Sequence, residues 1–292
     1  MKRILITGEG SYIGTSFENY LKPQTDKYQV DTVDMTDKSW QSKSFLGYDA
    51  VFHVAGIAHS DSGSISKEKE KLYYEVNTDL TIAAAQKAKA DGVRQFIFMS
   101  SAIVFGDSAP IGKRKVIDKN SKPSPANCYG NSKLLAEKGL SALKDNDFKV
   151  VIVRAPMIYG KGSKGNYPVL SKFAGKFPVF PFVDNERSML YIENLCEFIR
   201  LVIDNEEDGI FYPQNAEYSN TSYLVKMIAK AHGKKVFLIR GFSFLLKLAS
   251  YKVSMVNKAF GNLCYDTSLS LYKDNYQIYS LKESIEKTEA DI

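Results

Sequence analysis

The N-terminal run Thr7-Gly8-Glu9-Gly10-Ser11-Tyr12-Ile13-Gly14 constrains the fold of this 292-residue chain more than any other feature. It follows a β-like apolar segment at residues 3–6 and precedes a helical pattern over 13–21. A glycine-rich turn between a buried strand and a helix reads as the start of a βαβ unit. Gly8 allows the tight turn. Gly10 keeps the loop small where a diphosphate must approach the backbone, and Gly14 lets the helix pack close to the strand. The first N–H groups of the helix and its positive dipole end then face the phosphates.

The rest of the chain extends that start. Apolar runs at 29–33, 50–54, 95–99 and 150–154 alternate with helical patterns at 68–91 and 129–144, and a polar loop is expected at 58–66. Continuous β-branched runs separated by helices imply a parallel sheet covered on both faces, so the expected fold is α/β, Rossmann-like and doubly wound. After about residue 160 the texture changes. Gly160, Gly162, Gly165, Pro168, Pro178 and Pro181 punctuate a loop-rich stretch, with helices expected at 193–205 and 222–232. The expected organisation is a dinucleotide-binding domain over 1–160 and a smaller C-terminal substrate-binding region over 161–292, with a part near 187–215 returning to the first domain.

Composition narrows the classes. Apolar residues make up 44% and charged residues 25%, which is globular and not disordered. The three cysteines, Cys128, Cys196 and Cys264, have no metal-ligand spacing, so neither a disulfide framework nor a metal site is expected, and a reducing, cytoplasmic setting fits. The net charge of +6 is uneven: residues 101–183 carry 14 basic and 5 acidic side chains. That excess suggests an anionic partner. No nucleic-acid motif accompanies it, so nucleic acid is not expected. Only four residues separate Arg3 from Gly8, too few for a secretory apolar region. The greasy stretch 241–261 is interrupted by Lys247, Lys252 and Lys258, so it reads as an amphipathic helix packed on the protein, with membrane contact not expected.

Two further motifs carry chemistry. Tyr129 and Lys133 stand four apart on one helical face, where an ammonium beside a phenol would lower the phenol pKa towards acid/base use. Ser100-Ser101 directly follows the buried strand at 95–99, at the carboxyl end where parallel sheets bind ligands, and a hydroxyl there can orient a substrate oxygen. An acidic residue about 20 positions after the glycine turn should hold the adenosine ribose; Asp34 fits and Asp37 competes. No Arg adjoins Asp34 to hold a 2′-phosphate, which favours NAD over NADP.

The glycine turn, Asp49-Ala50-Val51-Phe52-His53-Val54-Ala55-Gly56, the pair Val76-Asn77, Ser100–Gly106 and Tyr129-Gly130-Asn131-Ser132-Lys133 occur in the order found in the extended short-chain dehydrogenase/reductases, the NAD-dependent epimerase/dehydratase family. The chain resembles in particular their bacterial UDP-sugar epimerase/reductase branch, the UDP-4-keto-sugar reductases of capsule and O-antigen pathways. That resemblance implies Ser101, Tyr129 and Lys133 as catalytic residues. It implies cofactor contacts from Gly8, Gly10, Ser11, Tyr12, Ile13, Gly14, Asp34, His53, Ala55, Gly56, Asn77, Lys133 and Pro156. Substrate contacts are implied for Ser101, Tyr129, Asn166, Phe180 and Arg187, the last suited to a diphosphate. Ser11 departs from the family's middle glycine, and the stretch between the second and third strands is short.

The implied reaction is NAD(P)H-dependent reduction of the C4 ketone of a UDP-4-keto-6-deoxy-N-acetylhexosamine. The same residues would serve a UDP-hexose 4-epimerase with bound NAD. A dehydratase is disfavoured because Ala102-Ile103 stand where an acidic pair is wanted. A non-catalytic NAD-binding protein would not need Ser101, Tyr129 and Lys133 together. The resemblance also implies a homodimer through helices 68–91 and 129–144.

Overall fold

In a computed structural model, residues 1–58, 65–241, 243–251 and 254–290 are described. Most of the expected polar loop at 58–66, and residues 242, 252 and 253 of the greasy stretch, lie outside the described residues.

The chain begins with β1 (Lys2–Thr7), α1 (Tyr12–Leu21), β2 (Tyr28–Val33), β3 (Ala50–His53), α2 (Lys67–Tyr74) and α3 (Leu80–Ala90). Next come β4 (Gln95–Ser101), β5 (Val116–Ile117), α4 (Cys128–Leu143), β6 (Lys149–Ala155), β7 (Met157–Tyr159) and α5 (Asn166–Lys176). They are followed by β8 (Val179–Pro181), β9 (Met189–Tyr191), α6 (Ile192–Asp204), β10 (Gly209–Phe211), α7 (Thr221–Ala231) and β11 (Phe237–Ile239). The last elements are α8 (Ser243–Ser250), α9 (Ser254–Phe260), β12 (Cys264–Tyr265) and α10 (Leu281–Glu289).

The chain divides into two compact units. The larger comprises Met1–Gly106, Lys122–Ala155 and Leu195–Pro213, and the smaller Asp107–Ser121, Pro156–Asn194 and Gln214–Ile292. The larger unit holds a six-stranded parallel sheet in the order β10-β6-β4-β3-β1-β2. β2 and β3 both pair with β1, so the chain reverses direction across the sheet between β1 and β3. A doubly wound sheet binds ligands at the carboxyl end of such a switch point. Among the described residues no strand lies outside β2, which follows from the short segment between β2 and β3.

Alternation along the strands covers both faces. Leu5, Val51, Phe96, Phe98, Val150 and Ile152 pack with Ala84, Ala85 and Ala88 of α3 and with Ala136 and Leu140 of α4. On the other face Phe17 of α1 meets Phe52 edge-on at 5.2 Å, and Phe198 of α6 meets Phe211 at 5.7 Å. Strands buried on both faces are why these segments read as unbroken apolar runs.

In the smaller unit β8 pairs with β11, β5 with β12 and β7 with β9. Tyr159, Tyr167 and Tyr191 stack in its interior, where the Tyr159 hydroxyl pairs with Ser284 at 2.5 Å and accepts from Asn215 at 2.9 Å.

One expectation is refined and one corrected. The helix expected over 68–91 is present as a continuous helical run over 67–90, with a π-turn at Glu75–Asp79 joining α2 to α3. The wider turn directs Asn77 and Thr78 towards α4, where both bond Ser132. The amphipathic stretch at 241–261 forms two helices, and most apolar side chains of α8 do not pack inward: Phe244, Leu245 and Leu248, with Tyr251 just beyond the helix, are exposed, while Leu246 is half-buried and Ser250 buried.

Candidate active site

Three polar residues meet at the carboxyl end of β4. Ser101 is the last residue of β4 and pairs in register with Ala155 of β6. Its Oγ accepts the Ile103 N–H at 3.3 Å and so caps the short 3-10 turn Ala102–Phe105. α4 starts against this turn, capped by Asn127 Oδ1, which accepts the Gly130 N–H at 2.9 Å. A Cβ on Gly130 would stand 2.8 Å from the Ile103 carbonyl oxygen, so only glycine allows the approach. That approach brings the Tyr129 side chain into a hydrogen bond with Ser101.

Burial pushes the Tyr129 phenol up to about 12, against the lowering effect of its bond to Ser101; Tyr73, its ring centroid 5.9 Å away, adds to the rise. The phenol is therefore protonated at neutral pH. Lys133 lies one turn along α4. Its Nζ donates to the Met99 carbonyl at 3.0 Å and sits 4.6 Å from the Phe98 ring centroid. Burial pushes its ammonium down to about 8, opposed by the carboxylate of Glu137. The expected lowering of the Tyr129 pKa by Lys133 is absent: desolvation governs both groups, and the ammonium is spent on Met99 and Phe98.

Beneath these residues lies a network that the sequence reading missed. The Ser100 hydroxyl donates to Glu137 Oε1 at 2.5 Å. Arg154 holds the same carboxylate through Nε at 3.1 Å and Nη2 at 2.6 Å, and its Nη1 donates to the Tyr212 hydroxyl at 3.0 Å. The guanidinium carbon stands 5.1 Å from the Phe105 ring centroid and 5.7 Å from that of Tyr212. Glu137 and Arg154 are both buried, and such a pair holds only where geometry and hydrogen bonds are nearly complete. Two signals were available: Glu137 falls on the Tyr129–Lys133 face of α4, and Arg154 ends an otherwise apolar strand.

The glycine turn lies at the switch point. Gly8 has φ +110°, and a Cβ there would lie 2.8 Å from the Ala55 nitrogen, which explains the residue on both counts. Its N–H and that of Glu9 donate to the Val33 carbonyl at 2.9 and 3.2 Å. Ser11 caps α1, its Oγ accepting from Gly14 N–H at 3.2 Å, so the departure from glycine is accounted for as a helix cap. Gly10 has φ +71° and open space where its Cβ would be. Tyr12 and Ile13 open α1, and the Tyr12 hydroxyl is buried without a hydrogen-bond partner among the described residues. Open backbone beside a helix N-terminus fits a dinucleotide diphosphate.

Ala55 and Gly56 follow β3, and a Cβ on Gly56 would lie 3.3 Å from Lys133 Nζ. The side chains of His53 and Asn77 are both held within the protein. The His53 side chain is fully buried, pairing with Thr7 at 2.7 Å and Thr81 at 3.0 Å, and burial pushes its pKa down to about 3. It braces β1 against α3 as a neutral ring and offers no side-chain atom to a ligand. Asn77 clamps the loop after β3: its Oδ1 accepts from Ile57 N–H at 2.9 Å, and its Nδ2 donates to the Ile57 carbonyl and to Ser132.

Asp34 follows β2 directly, and its carboxylate accepts from the Thr36 N–H and hydroxyl, both at 2.8 Å. Asp37 lies further on and caps the turn at 38–42 through Ser39. Asp34 is thus the carboxylate adjoining the Val33 carbonyl that anchors the glycine turn. Cys128 opens α4, and burial and Glu70 raise its thiol pKa, which disfavours a reactive thiolate.

The remaining expected residues belong to the smaller unit. Pro156 directly follows β6, and Asn166 is the exposed first residue of α5. Arg187 is largely enclosed; its Nη1 donates to the Lys258 carbonyl, and burial pushes its guanidinium down to about 10. Phe180 is buried between Phe173 at 5.0 Å and Phe260 at 5.7 Å, whereas Phe182, two residues on, lies beneath the Arg240 guanidinium at 5.0 Å. Among the described residues no group of three His, Cys, Asp or Glu could hold a metal ion.

A doubly wound parallel sheet, a glycine turn at its switch point and a Ser–Tyr–Lys set on a neighbouring strand end define the class. The chain belongs to the NAD dependent epimerase/dehydratase family, whose pattern residues 4–212 match. The chain is 31% identical over 296 residues to a UDP-glucose 4-epimerase of Vibrio cholerae, covering 91% of this chain and 88% of that protein. It is 26% identical to the N-acetyl-alpha-D-glucosaminyl-diphospho-ditrans,octacis-undecaprenol 4-epimerase of Escherichia coli O157:H7, covering 96% of this chain and 83% of that one. Among solved structures, a dTDP-4-dehydrorhamnose reductase from Bacillus anthracis in complex with NADP superposes with a TM-score of 0.75 at 19% identity, covering 99% and 98% of the two chains. At that identity the likeness concerns the fold.

Proposed function

We propose that this chain moves a hydride at C4 of a UDP-linked sugar, with NAD(H) as its cofactor and NADP(H) as the less favoured choice. The observation that carries the proposal is the pairing of Ser101 with a Tyr129 phenol that is protonated at neutral pH, beside Lys133 and Gly56. The glycine turn, the first turn of α1 and Asp34 would hold the dinucleotide diphosphate and ribose. When bound, the nicotinamide supplies or accepts the hydride.

The residues of the chain supply the proton chemistry. Ser101 Oγ would hold the C4 oxygen, and Tyr129 Oη would give it the proton it needs as the carbonyl becomes an alcohol. A phenol pushed up to about 12 is loaded for that direction. Lys133, held by the Met99 carbonyl beside Gly56, would hold the nicotinamide ribose. Arg187 and Asn166 would take the substrate diphosphate. These features support net reduction of a UDP-4-keto-6-deoxy-N-acetylhexosamine in surface polysaccharide synthesis.

The second reading is a UDP-sugar 4-epimerase, favoured by two curated 4-epimerases that match nearly the whole chain. Tyr129 would then first take the C4 hydroxyl proton and later return it. The deciding experiment incubates purified protein with UDP-N-acetylglucosamine, UDP-glucose and a UDP-4-keto sugar, with and without NADH. Stoichiometric NADH oxidation by the keto sugar supports the reductase. Interconversion of C4 epimers without added reductant supports the epimerase. Inertness towards all of them sinks the proposal.

We also propose a homodimer formed through α2, α3 and α4, where Leu72 and Leu135 are exposed. Sedimentation velocity giving a monomer at micromolar concentration would count against it.

A further inference from the structure

α8 turns three of its four large apolar side chains, Phe244, Leu245 and Leu248, away from its own protein. Phe244, Leu245, Leu248 and Tyr251 follow an i, i+1, i+4, i+7 spacing, which puts them on one face. That face is turned outward, the four residues being 67%, 62%, 55% and 54% exposed. The side facing the protein carries the half-buried Leu246 and Ala249 and the buried Ser250, whose hydroxyl accepts the Ile111 N–H at 3.3 Å and donates to the Lys247 carbonyl at 2.7 Å. Single exposed apolar side chains are common, but four on one stripe mark a contact surface. Phe237 and Ile239, on the same side of β11 and a few residues earlier, are exposed too.

The charges around this stripe have one sign. Residues 234–251 contain Lys234, Lys235, Arg240 and Lys247 and no Asp or Glu. The absence of acidic residues extends from Tyr218 to Tyr265, a stretch with eight Lys or Arg. Two lysines border the stripe in space. Lys113 Nζ stands 5.7 Å from the Tyr251 ring centroid, and the Lys247 stem runs along Gly112, within 3.2 Å of where a Cβ would be.

We propose that α8 and the lysines beside it form a peripheral docking face for a membrane surface rich in anionic lipid. Aromatic and leucine side chains on one face, bordered by Lys113 and Lys247, match the boundary between acyl chains and anionic headgroups. No helix among the described residues is long and apolar enough to cross a membrane, so the contact is interfacial. A second copy of this chain fits less well. A two-fold contact sets a patch against itself, and here that would oppose cation to cation with no acidic residue in the segment to relieve it.

Flotation of the full-length protein with vesicles tests this. Phosphatidylcholine vesicles containing phosphatidylglycerol should carry the protein up the gradient, and pure phosphatidylcholine vesicles should not. Raising the salt should weaken the association. The pair Phe244→Ser and Leu248→Ser should lower the bound fraction about tenfold. Lys247→Glu should lower it less and reduce its salt sensitivity. Unchanged circular dichroism and melting temperature would show that the variants are folded. Failure of the wild type to bind anionic vesicles overturns the proposal, as does equal binding to neutral ones. A self-associated wild type that Phe244→Ser converts to a smaller species, with no vesicle binding, overturns it in favour of a protein contact.

Discussion

The junction of β4 and α4 buries its polar groups, whereas α8 exposes its apolar ones. Both depart from the ordinary arrangement, in opposite ways. At the junction every burial is answered: Glu137 has Ser100 and Arg154, Asn77 has Ile57 and Ser132, and His53 has Thr7 and Thr81. Partners this complete make a stiff, specified site, which proton transfer to a fixed oxygen requires. On α8 Phe244 and Leu248 are largely exposed, and a surface left apolar fits a partner outside the chain. Buried polarity here points to chemistry, and exposed apolarity to docking.

The largest effect should come from the group that the junction exists to position. Tyr129→Phe keeps the ring and its packing but removes the proton, so turnover should fall by about 10⁴-fold while cofactor binding stays. Turnover and fluorescence titration with NADH measure the two separately, and a variant retaining most of its turnover would remove Tyr129 from the chemistry. Glu137→Ala should come next. It leaves Arg154 charged, buried and without its main partner, at a cost of roughly 3–5 kcal/mol in urea unfolding. A loss below about 1 kcal/mol would mean that water reaches the guanidinium and that the junction is not sealed.

The contrast also explains what the sequence reveals. The parallel sheet, the glycine turn and the Tyr129–Lys133 spacing are legible because each depends on local order: period, turn chemistry and helical spacing. The buried pair was not read, since Glu137 and Arg154 meet only after β6 has been laid beside β4. The burial of the His53 and Phe180 side chains was not legible for a related reason. A strand pattern tells which residues alternate, but which side faces a ligand is set by the elements packed against it. The turn at Glu75–Asp79 left no periodic signal, because a π-turn shifts the helical phase by a single residue. α8 was legible as amphipathic, yet the sequence alone does not say whether the apolar stripe faces its own protein or another surface.

A smaller effect tests the buried polarity through pH. His53 is neutral in the folded chain, its pKa pushed down to about 3 by burial, with Lys133 adding to the fall. The unfolded chain takes up a proton near pH 6.5 that the folded chain refuses, so stability present above pH 6.5 is lost progressively as the pH falls towards 3. Unfolding at pH 4.5 should cost about 2–3 kcal/mol less than at pH 7 on this account. The slope should shrink in His53→Asn, compared with the wild type by urea unfolding across that range. An unchanged slope would assign the acid sensitivity to other groups.

The smallest effect belongs to the exposed stripe, and its smallness carries the comparison. Leu248→Ser removes an apolar side chain of the kind whose loss from a core costs about 2–5 kcal/mol, as Leu140→Ala at the buried face of α4 should. On α8 the side chain gives up little burial on replacement, so unfolding should change by no more than about 0.5 kcal/mol. The two variants, measured side by side, separate a leucine kept for packing from one kept for contact. If Leu248→Ser were as costly as Leu140→Ala, the outward face of α8 would be part of this protein's own core, and the distinction between its two unusual regions would collapse.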